Sequence, residues 1–268
     1  MGKVVILGAA GFLGKQVSEL FAKESFDVVD ITRSVCDLTD QSKLLQILNN
    51  VEPRVIINCA AVVNFNSQPS EDMKLINVGL VKLLAGFSAV NDCHLVHLSS
   101  VAIYGSQTEL ISLNTKYNPD TYYARLKLEA DEYIESLSHK YTILRLCGIY
   151  GVNGPSHLGL NNVITKAKQG VNPSVHGFGT AKRNYIHVKD VAYTILYTVR
   201  KQIFNTHLIA GSEVLSIMEI METVCDVYLN SQQPKYIEKT KDAKDQIIIA
   251  SSLFPQTNSL KIRLEEEL

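Results

Sequence analysis

Short apolar runs and helical spacings alternate through the first 150 residues. Lys3–Leu7 (KVVIL) is a continuous aliphatic run, as expected of a strand buried on both faces of a parallel sheet. Phe12, Leu13, Val17, Leu20 and Phe21 then share one helical face. Asp27–Thr32 predicts a second strand, Arg54–Asn58 a third and His94–Leu98 a fourth. Between them, Ser42–Asn50 predicts a helix with Leu44, Leu45 and Leu48 inward, and Glu71–Asn91 a long helix. A helix from Tyr122 to His139 leads into a strand at Thr142–Leu146. This alternation predicts an α/β fold, a doubly wound parallel sheet with right-handed crossovers. Beyond Gly151 the elements shorten and Gly, Asn and Pro become frequent (GVNGP, QGVNP, HGFGT). The expected division is a main domain over residues 1–150 and a smaller lobe over 151–268, interleaved with the last sheet elements. Leu260–Leu268 predicts a charged terminal helix.

Composition narrows the function classes. A length of 268 residues suits one large domain or two modest ones, and 46% hydrophobic residues suffice for a sizeable core. A net charge of −1 offers no global attraction for nucleic acid or an anionic membrane, so any anion site must be local. Cys36, Cys59, Cys93, Cys147 and Cys225 are scattered without a CxxC pair, which argues against a disulfide framework or a zinc site and for small buried hydrophobes. Met1 leads directly into the first strand without a signal-peptide pattern. No uninterrupted apolar run approaches the roughly 20 residues of a membrane span. The expectation is a cytoplasmic protein with no metal, no nucleic-acid partner and no membrane.

Candidate chemistry begins where the first strand ends. Gly8, Gly11 and Gly14 follow it as GxxGxxG, with Phe12 and Leu13 inside the spacing, and a helix starts there. Glycines permit the tight turn and let backbone approach a pyrophosphate, while the helix N-terminus presents open N–H groups and positive potential. Coming directly after a strand, this turn predicts a dinucleotide site. The end of the second strand selects the cofactor. If it closes early, Asp30 takes a free ribose 2′-hydroxyl and the cofactor is NAD. If it continues through Ile31, Thr32 and Arg33 lie there and favour the 2′-phosphate of NADP. Asp37 and Leu38 are candidates for the adenine, with Asp37 and Asp40 alternatively capping the next helix.

Tyr123 and Lys127 stand at i and i+4 on one helical face. A phenol near pKa 10 is a poor base at neutral pH, and an adjacent ammonium favours its ionised form. Such a pair can exchange a proton with a substrate oxygen while a hydride moves at a nicotinamide. The fourth strand ends in Ser99-Ser100, at the sheet edge where ligands bind, and a serine there can hydrogen-bond the reacting oxygen.

Taken together, GAAGFLG, Asn58-Cys59-Ala60-Ala61, SSVAIYG and YARLK resemble the extended short-chain dehydrogenase/reductase family. Arg183 to Ala192 (RNYIHVKDVA) is similar to that family's R-D-x-I-H-V-x-D-V-A segment. The resemblance runs from about Lys3 to Thr198. It implies a Rossmann NAD(P)-binding domain with a C-terminal substrate lobe. It further implies Ser100, Tyr123 and Lys127 as catalytic residues, with Tyr123 and Lys127 also meeting the cofactor. Ala60 and Ala61 would line its ribose and phosphates. Arg183 would grip a substrate diphosphate, the alternative being an ion pair with Asp190; His187 and His97 read as structural.

Val101-Ala102 occupies the positions where the family's sugar-nucleotide dehydratases carry acidic residues, so elimination is disfavoured. Reduction of a nucleotide-linked keto-sugar with NADPH and 4-epimerisation with tightly held NAD remain. Val28–Asp40 and Pro53–Ala61 are similar to dTDP-4-dehydrorhamnose reductases, while RNYIHVKDVA and SSVAIYG are epimerase-like. The reading taken is an oxidoreductase of the reductase type, with the epimerase as alternative. A third reading is an NADP-binding regulatory subunit, since some relatives of the reductases serve in that way. The resemblance implies a homodimer packed through the two long helices, here 71–91 and 122–139. The apolar positions Leu75, Ile76, Leu80, Leu83, Leu84 and Phe87, wider than one stripe, permit such a face, the alternative being deep burial inside one subunit.

Overall fold

The computed structural model describes residues 2–63, 70–137, 140–237 and 243–268. Contacts divide them into two compact units. The first takes the chain up to Gly105 together with Lys116–Arg145 and Val191–His207. The second takes Ser106–Thr115, Leu146–Asp190 and Leu208–Leu268. Each unit thus draws on three separate stretches. Residues 106–115 and 191–207 each belong to the opposite unit from the one a single cut at residue 150 assigns.

The first unit is built on a six-stranded sheet. From one edge to the other its order is Asn205–Ile209, Tyr141–Leu146, His94–Ser100, Val55–Asn58, Val4–Leu7 and Val28–Ile31. Val4–Leu7 pairs in parallel with both neighbours, Val4 standing opposite Val28 and Val55. Val55–Asn58 pairs in parallel with His94–Ser100. The chain leaves Val4–Leu7 to one side and returns on the other. The order therefore reverses at this strand, and a crevice opens beyond the carboxyl ends of Val4–Leu7 and Val55–Asn58. Val5, Leu7, Ile56, Leu95 and Ile143 from the strands share a buried core with Leu44, Leu48, Leu80, Leu84, Ala130 and Ile134 from the helices. Burial of each Val, Leu or Ile side chain among them contributes about 1.5–3 kcal/mol.

The expected strands and helices of this unit are present with shifted ends: His94–Ser100, Tyr141–Leu146 and Gln41–Val51 are longer than expected, Val4–Leu7, Val28–Ile31 and Val55–Asn58 shorter. Helix Gln41–Val51 buries Leu44 and Leu48 but leaves Leu45 40% exposed, because its apolar stripe is centred on the first two and Leu45 falls on its flank. The long helix closes at Val90, and its middle turn, Leu75–Gly79, is π-helical. Glu71–Val90 is long and apolar enough to cross a membrane by length and composition alone, contrary to the expectation that no stretch approached that length. In this fold 56% of that window is buried, with Ile76, Leu80, Leu84 and Phe87 in the core. The helix beginning at Tyr122 ends at Ser136, and residues 138–139 lie outside the described residues. Cys36, Cys93, Cys147 and Cys225 are buried free thiols, and Cys59 is half-buried.

The second unit carries two-stranded pairs around a separate core. Ile149–Tyr150 runs parallel to Ile186–His187, and Lys182–Arg183 runs antiparallel to Leu215–Ser216. Tyr150, Leu160, Ile164, Val224 and Leu264 fill the core between helices Gly159–Lys168, Ile217–Tyr228 and Leu260–Glu265. Ser216 and Glu219 form a capping box that starts the second of these helices.

Candidate active site

A cleft of about 460 Å³ opens at the carboxyl ends of the first strands. Gly8, Gly11, Thr32, Arg33, Asp37, Leu38, Ala60 and Ala61 line it, so eight residues of the expected dinucleotide site come together there. The reason is local. Gly8 has φ +72°, a left-handed conformation that a side chain would strain, and a Cβ there would stand 3.0 Å from the Ala60 nitrogen. A Cβ on Gly14 would lie 2.1 Å from the Gly8 carbonyl oxygen. The glycines thus let the turn fold beneath the helix. Helix Phe12–Lys23 starts at Gly11 with no side-chain cap and no acidic residue in its first turn. Its N-terminus is left to an anion, and the site's shape and polarity fit a dinucleotide pyrophosphate. Phe12, Leu13 and Gly14 form the first helical turn and are not among the cleft-lining residues.

The second strand runs to Ile31, so Thr32 and Arg33 follow its end at the cleft wall. Asp30 does not line the cleft; its Oδ2 accepts a hydrogen bond from Ser18 Oγ at 2.7 Å. The Arg33 side chain is 91% exposed, with Nε 3.9 Å from the Asp37 carboxylate. Asp37 itself accepts from Thr39 N and Oγ1, and Asp40 caps helix Gln41–Val51 by accepting from Lys43 N.

Two asparagines hold the opposite wall: Asn58, which opens the Asn58-Cys59-Ala60-Ala61 motif, and Asn77, which the sequence did not single out. Buried Asn58 accepts from Ala60 N through Oδ1 and contacts His97 Nδ1 through Nδ2, each at 3.2 Å. Asn77, in the π turn, accepts from Val62 N at 3.1 Å and donates to Val62 O at 2.8 Å. Helix-to-loop bonds of this kind have no signature in sequence spacing. The π turn is the only local hint, and it is itself invisible in the apolar pattern.

Ser100 ends the fourth strand and caps the 3₁₀ turn Val101–Tyr104, accepting from Ala102 N at 3.1 Å. Thr121 caps helix Tyr122–Ser136 by accepting from Ala124 N, which places Tyr123 in the first turn and Lys127 one turn below. Lys127 is buried and donates from Nζ to the Leu98 carbonyl at 2.8 Å, joining this helix to the strand that carries Ser100. Burial pulls the ammonium down to about 8, against the carboxylate of Asp131. The Tyr123 ring centroid lies 5.9 Å from Nζ. Burial, with the Asp131 charge, pushes the Tyr123 phenol above its ordinary value, so the free site holds it protonated. This departs from an ammonium-lowered phenol: burial and the Asp131 charge both raise it. His97 lies inside the strand, held neutral by burial and by Lys127. Ser100, Tyr123 and Lys127 are not among the residues that line the cleft; Cys59, which does line it, faces Lys127.

The pattern of the NAD dependent epimerase/dehydratase family matches residues 4–209. The chain belongs to this family. Among its curated relatives is the dTDP-4-keto-6-deoxy-D-glucose reductase of Streptomyces niveus, 29% identical over 154 residues. That match covers 56% of this chain and 54% of the relative, so the chain spans about half the length of that reductase. The methionine adenosyltransferase 2 subunit beta of Xenopus laevis is 26% identical over 242 residues, covering 84% of this chain and 72% of that protein. The solved dTDP-4-dehydrorhamnose reductase of Bacillus anthracis, in complex with NADP, superposes with a TM-score of 0.84 at 22% identity. It covers 99% of this chain and 97% of that one, and it establishes the shared doubly wound Rossmann fold.

In the family's RNYIHVKDVA segment, Arg183 makes no ion pair with Asp190. Asp190 is taken by Arg263, which donates to it from Nε at 3.0 Å and also from Nη2. Arg183 Nη1 donates to the carbonyls of Lys182 and Lys244, both at 2.7 Å, and the half-buried side chain lines a small pocket with Tyr150, Tyr185 and Ser212. His187 bonds Glu267 at 2.8 Å beneath the helix that follows it.

Proposed function

We propose that this chain is an NADP-dependent reductase of a nucleotide-linked keto-sugar, of the dTDP-4-dehydrorhamnose reductase type. The observation that carries this reading is the end of the second strand. Asp30 is bonded to Ser18, while Thr32 and Arg33 stand at the cleft wall. A guanidinium there suits a ribose 2′-phosphate, and a cofactor so held exchanges between turnovers. When bound, the nicotinamide dinucleotide supplies the hydride.

The chain's own residues supply the rest. The Gly8–Gly14 turn and the helix N-terminus hold the pyrophosphate, and Ala60 and Ala61 flank the ribose. Lys127 presents its ammonium to the nicotinamide ribose and to Tyr123. The Tyr123 phenol, protonated in the free site, donates its proton to the carbonyl oxygen as the carbonyl carbon is reduced. The resulting phenolate is stabilised by the Lys127 charge. Ser100 donates a hydrogen bond to the same oxygen. Arg183 grips the substrate diphosphate. Val101 is buried and Ala102 carries no ionisable group, so nothing beside Ser100 supplies the extra proton transfer an elimination needs. We assign the protein to the cytoplasm and to a homodimer through helices Glu71–Val90 and Tyr122–Ser136.

The test is a titration with NADPH and NADH, followed by cofactor fluorescence; the chain contains no Trp, so background is low. Exchangeable binding with a preference for NADPH is expected. Non-exchangeable NAD carried through purification would overturn the reductase in favour of an epimerase. A second reading has support in the match to the Xenopus laevis subunit beta, which extends over more of this chain than the reductase match. A regulatory subunit would bind NADPH yet reduce no keto-sugar.

A further inference from the structure

One turn beyond Lys127 on the same helix, Asp131 is completely buried. Tyr123, Lys127 and Asp131 therefore follow one another at i, i+4 and i+8 along one face. Asp131 Oδ2 accepts from Ser99 Oγ at 2.9 Å and from Arg145 Nε at 2.9 Å. Its Oδ1 is buried with no hydrogen-bond partner among the described residues. Arg145, also buried, donates from Nη1 to the Tyr104 hydroxyl at 3.0 Å and from Nη2 to Glu135 at 3.2 Å, and lies 5.1 Å from the Tyr117 ring centroid. A carboxylate in such a place is costly, and a well-packed apolar pair of the same volume is often no less stable. Stability alone does not account for it. It does, however, touch both halves of the candidate site. Through Ser99 it holds the residue next to Ser100, and along its own helix it stands one turn from Lys127.

We infer that Asp131 is a positioning residue for the proposed reaction, keeping the Lys127 ammonium charged beneath Tyr123 and fixing the strand end that carries Ser100. This rests on the reductase reading of Tyr123 and Lys127. The groups facing Lys127 are Tyr123 and Asp131 from its own helix, Cys59 from beyond the third strand and neutral His97 from the fourth. Those facing Asp131 are Arg145 from its strand, Ser99 from the fourth strand, Tyr104 from the 3₁₀ turn, and Tyr123 and Lys127 from its own helix. Burial pulls Lys127 to about 8, and Asp131 is the foremost group opposing it. Burial pushes Asp131 up to about 6, with Arg145 the foremost group opposing it. Near neutral pH the carboxylate and the ammonium are both charged.

The experiment follows the Lys127 titration by NMR of the cofactor-free, lysine-labelled full chain, native and Asp131→Asn. Loss of the carboxylate lowers the Lys127 midpoint by about one pH unit. The proposed NADPH-dependent turnover then falls about fivefold at pH 8, in kcat rather than KM, and recovers toward pH 6, where native Asp131 takes up its own proton. Should Asp131→Asn not fold because Arg145 is left uncompensated, Asp131→Asn with Arg145→Met removes both charges, and the same lowering is expected. An unmoved Lys127 midpoint in either folded variant overturns the inference and leaves Asp131 a structural ion-pair partner. Absence of turnover in the native protein would overturn the reductase reading instead, because the lysine midpoint is read without substrate or cofactor.

Discussion

At the scale of single residues, the chemistry turns on which groups keep or release a proton. In the proposed reaction Tyr123 acts as an acid, since burial holds its phenol protonated. Tyr123→Phe removes only the hydroxyl, so turnover should fall by at least about 10²-fold while NADPH affinity is unchanged. Full activity in that variant would refute the mechanism. Lys127 must be an ammonium to stabilise the phenolate. Its value is lowered to about 8, so it loses its charge above that pH, and turnover should decline on the alkaline side of about pH 8. A profile flat to pH 10 would contradict this. Arg33, exposed at the cleft wall, is the expected discriminator of the 2′-phosphate. One charge-assisted hydrogen bond is worth about 1.5–3 kcal/mol, so Arg33→Ala should reduce the preference for NADPH over NADH by roughly 10- to 100-fold. Where Gly8, Ser100, Tyr123 and Lys127 sit on their strands and helices was legible from spacing. Asn77 and Asp131 were not, since their partners lie in other segments and only the folded chain brings them together.

At the scale of elements, apolar periodicity located five of the six sheet strands and the helices between them to within a few residues, but not the edge strand Asn205–Ile209 or the helix Val188–Lys201 before it. It failed where a tertiary hydrogen bond reshapes the backbone. The helix Glu71–Val90 reads as one uniform apolar stripe, yet its π turn places Asn77 where it clamps both backbone groups of Val62. Val62 lines the cofactor cleft, so Asn77→Ala should loosen that wall. Two hydrogen bonds at about 1 kcal/mol each bound the effect: NADPH affinity should drop by up to about thirtyfold, with the far-ultraviolet helical signal unchanged. Undiminished affinity would mean that the wall is held by packing alone. The Asp190 pairing shows the same limit. The alternative reading of Arg183 paired it with Asp190, whereas the terminal helix Leu260–Glu265 delivers Arg263 from far along the chain.

At the scale of the whole molecule, the order of the strands explains where the candidate site lies. Reversal at Val4–Leu7 opens the crevice, and the glycine turn, the end of the second strand and the loop after the third all reach it. A change of texture near Gly151 announced a second body, but not which of its segments return to the first. That depends on which strands pair, and short segments such as Leu110–Ile111 carry no periodicity long enough to read. Assembly is a separate matter. Val90 is 85% exposed at the end of the long helix, and Lys82 pairs with Glu129 between the two helices assigned to the dimer. Light scattering at working concentration should give twice the chain mass of 29.7 kDa, and a monomer would remove that proposal. The central claim is tested most directly by mixing the purified protein with NADPH and a dTDP-linked 4-keto-sugar and following loss of NADPH absorbance. Oxidation of NADPH in step with sugar reduction, absent in Tyr123→Phe, is the predicted result. Tight NADPH binding with no oxidation in the native protein would contradict the reductase and leave the regulatory-subunit reading in its place.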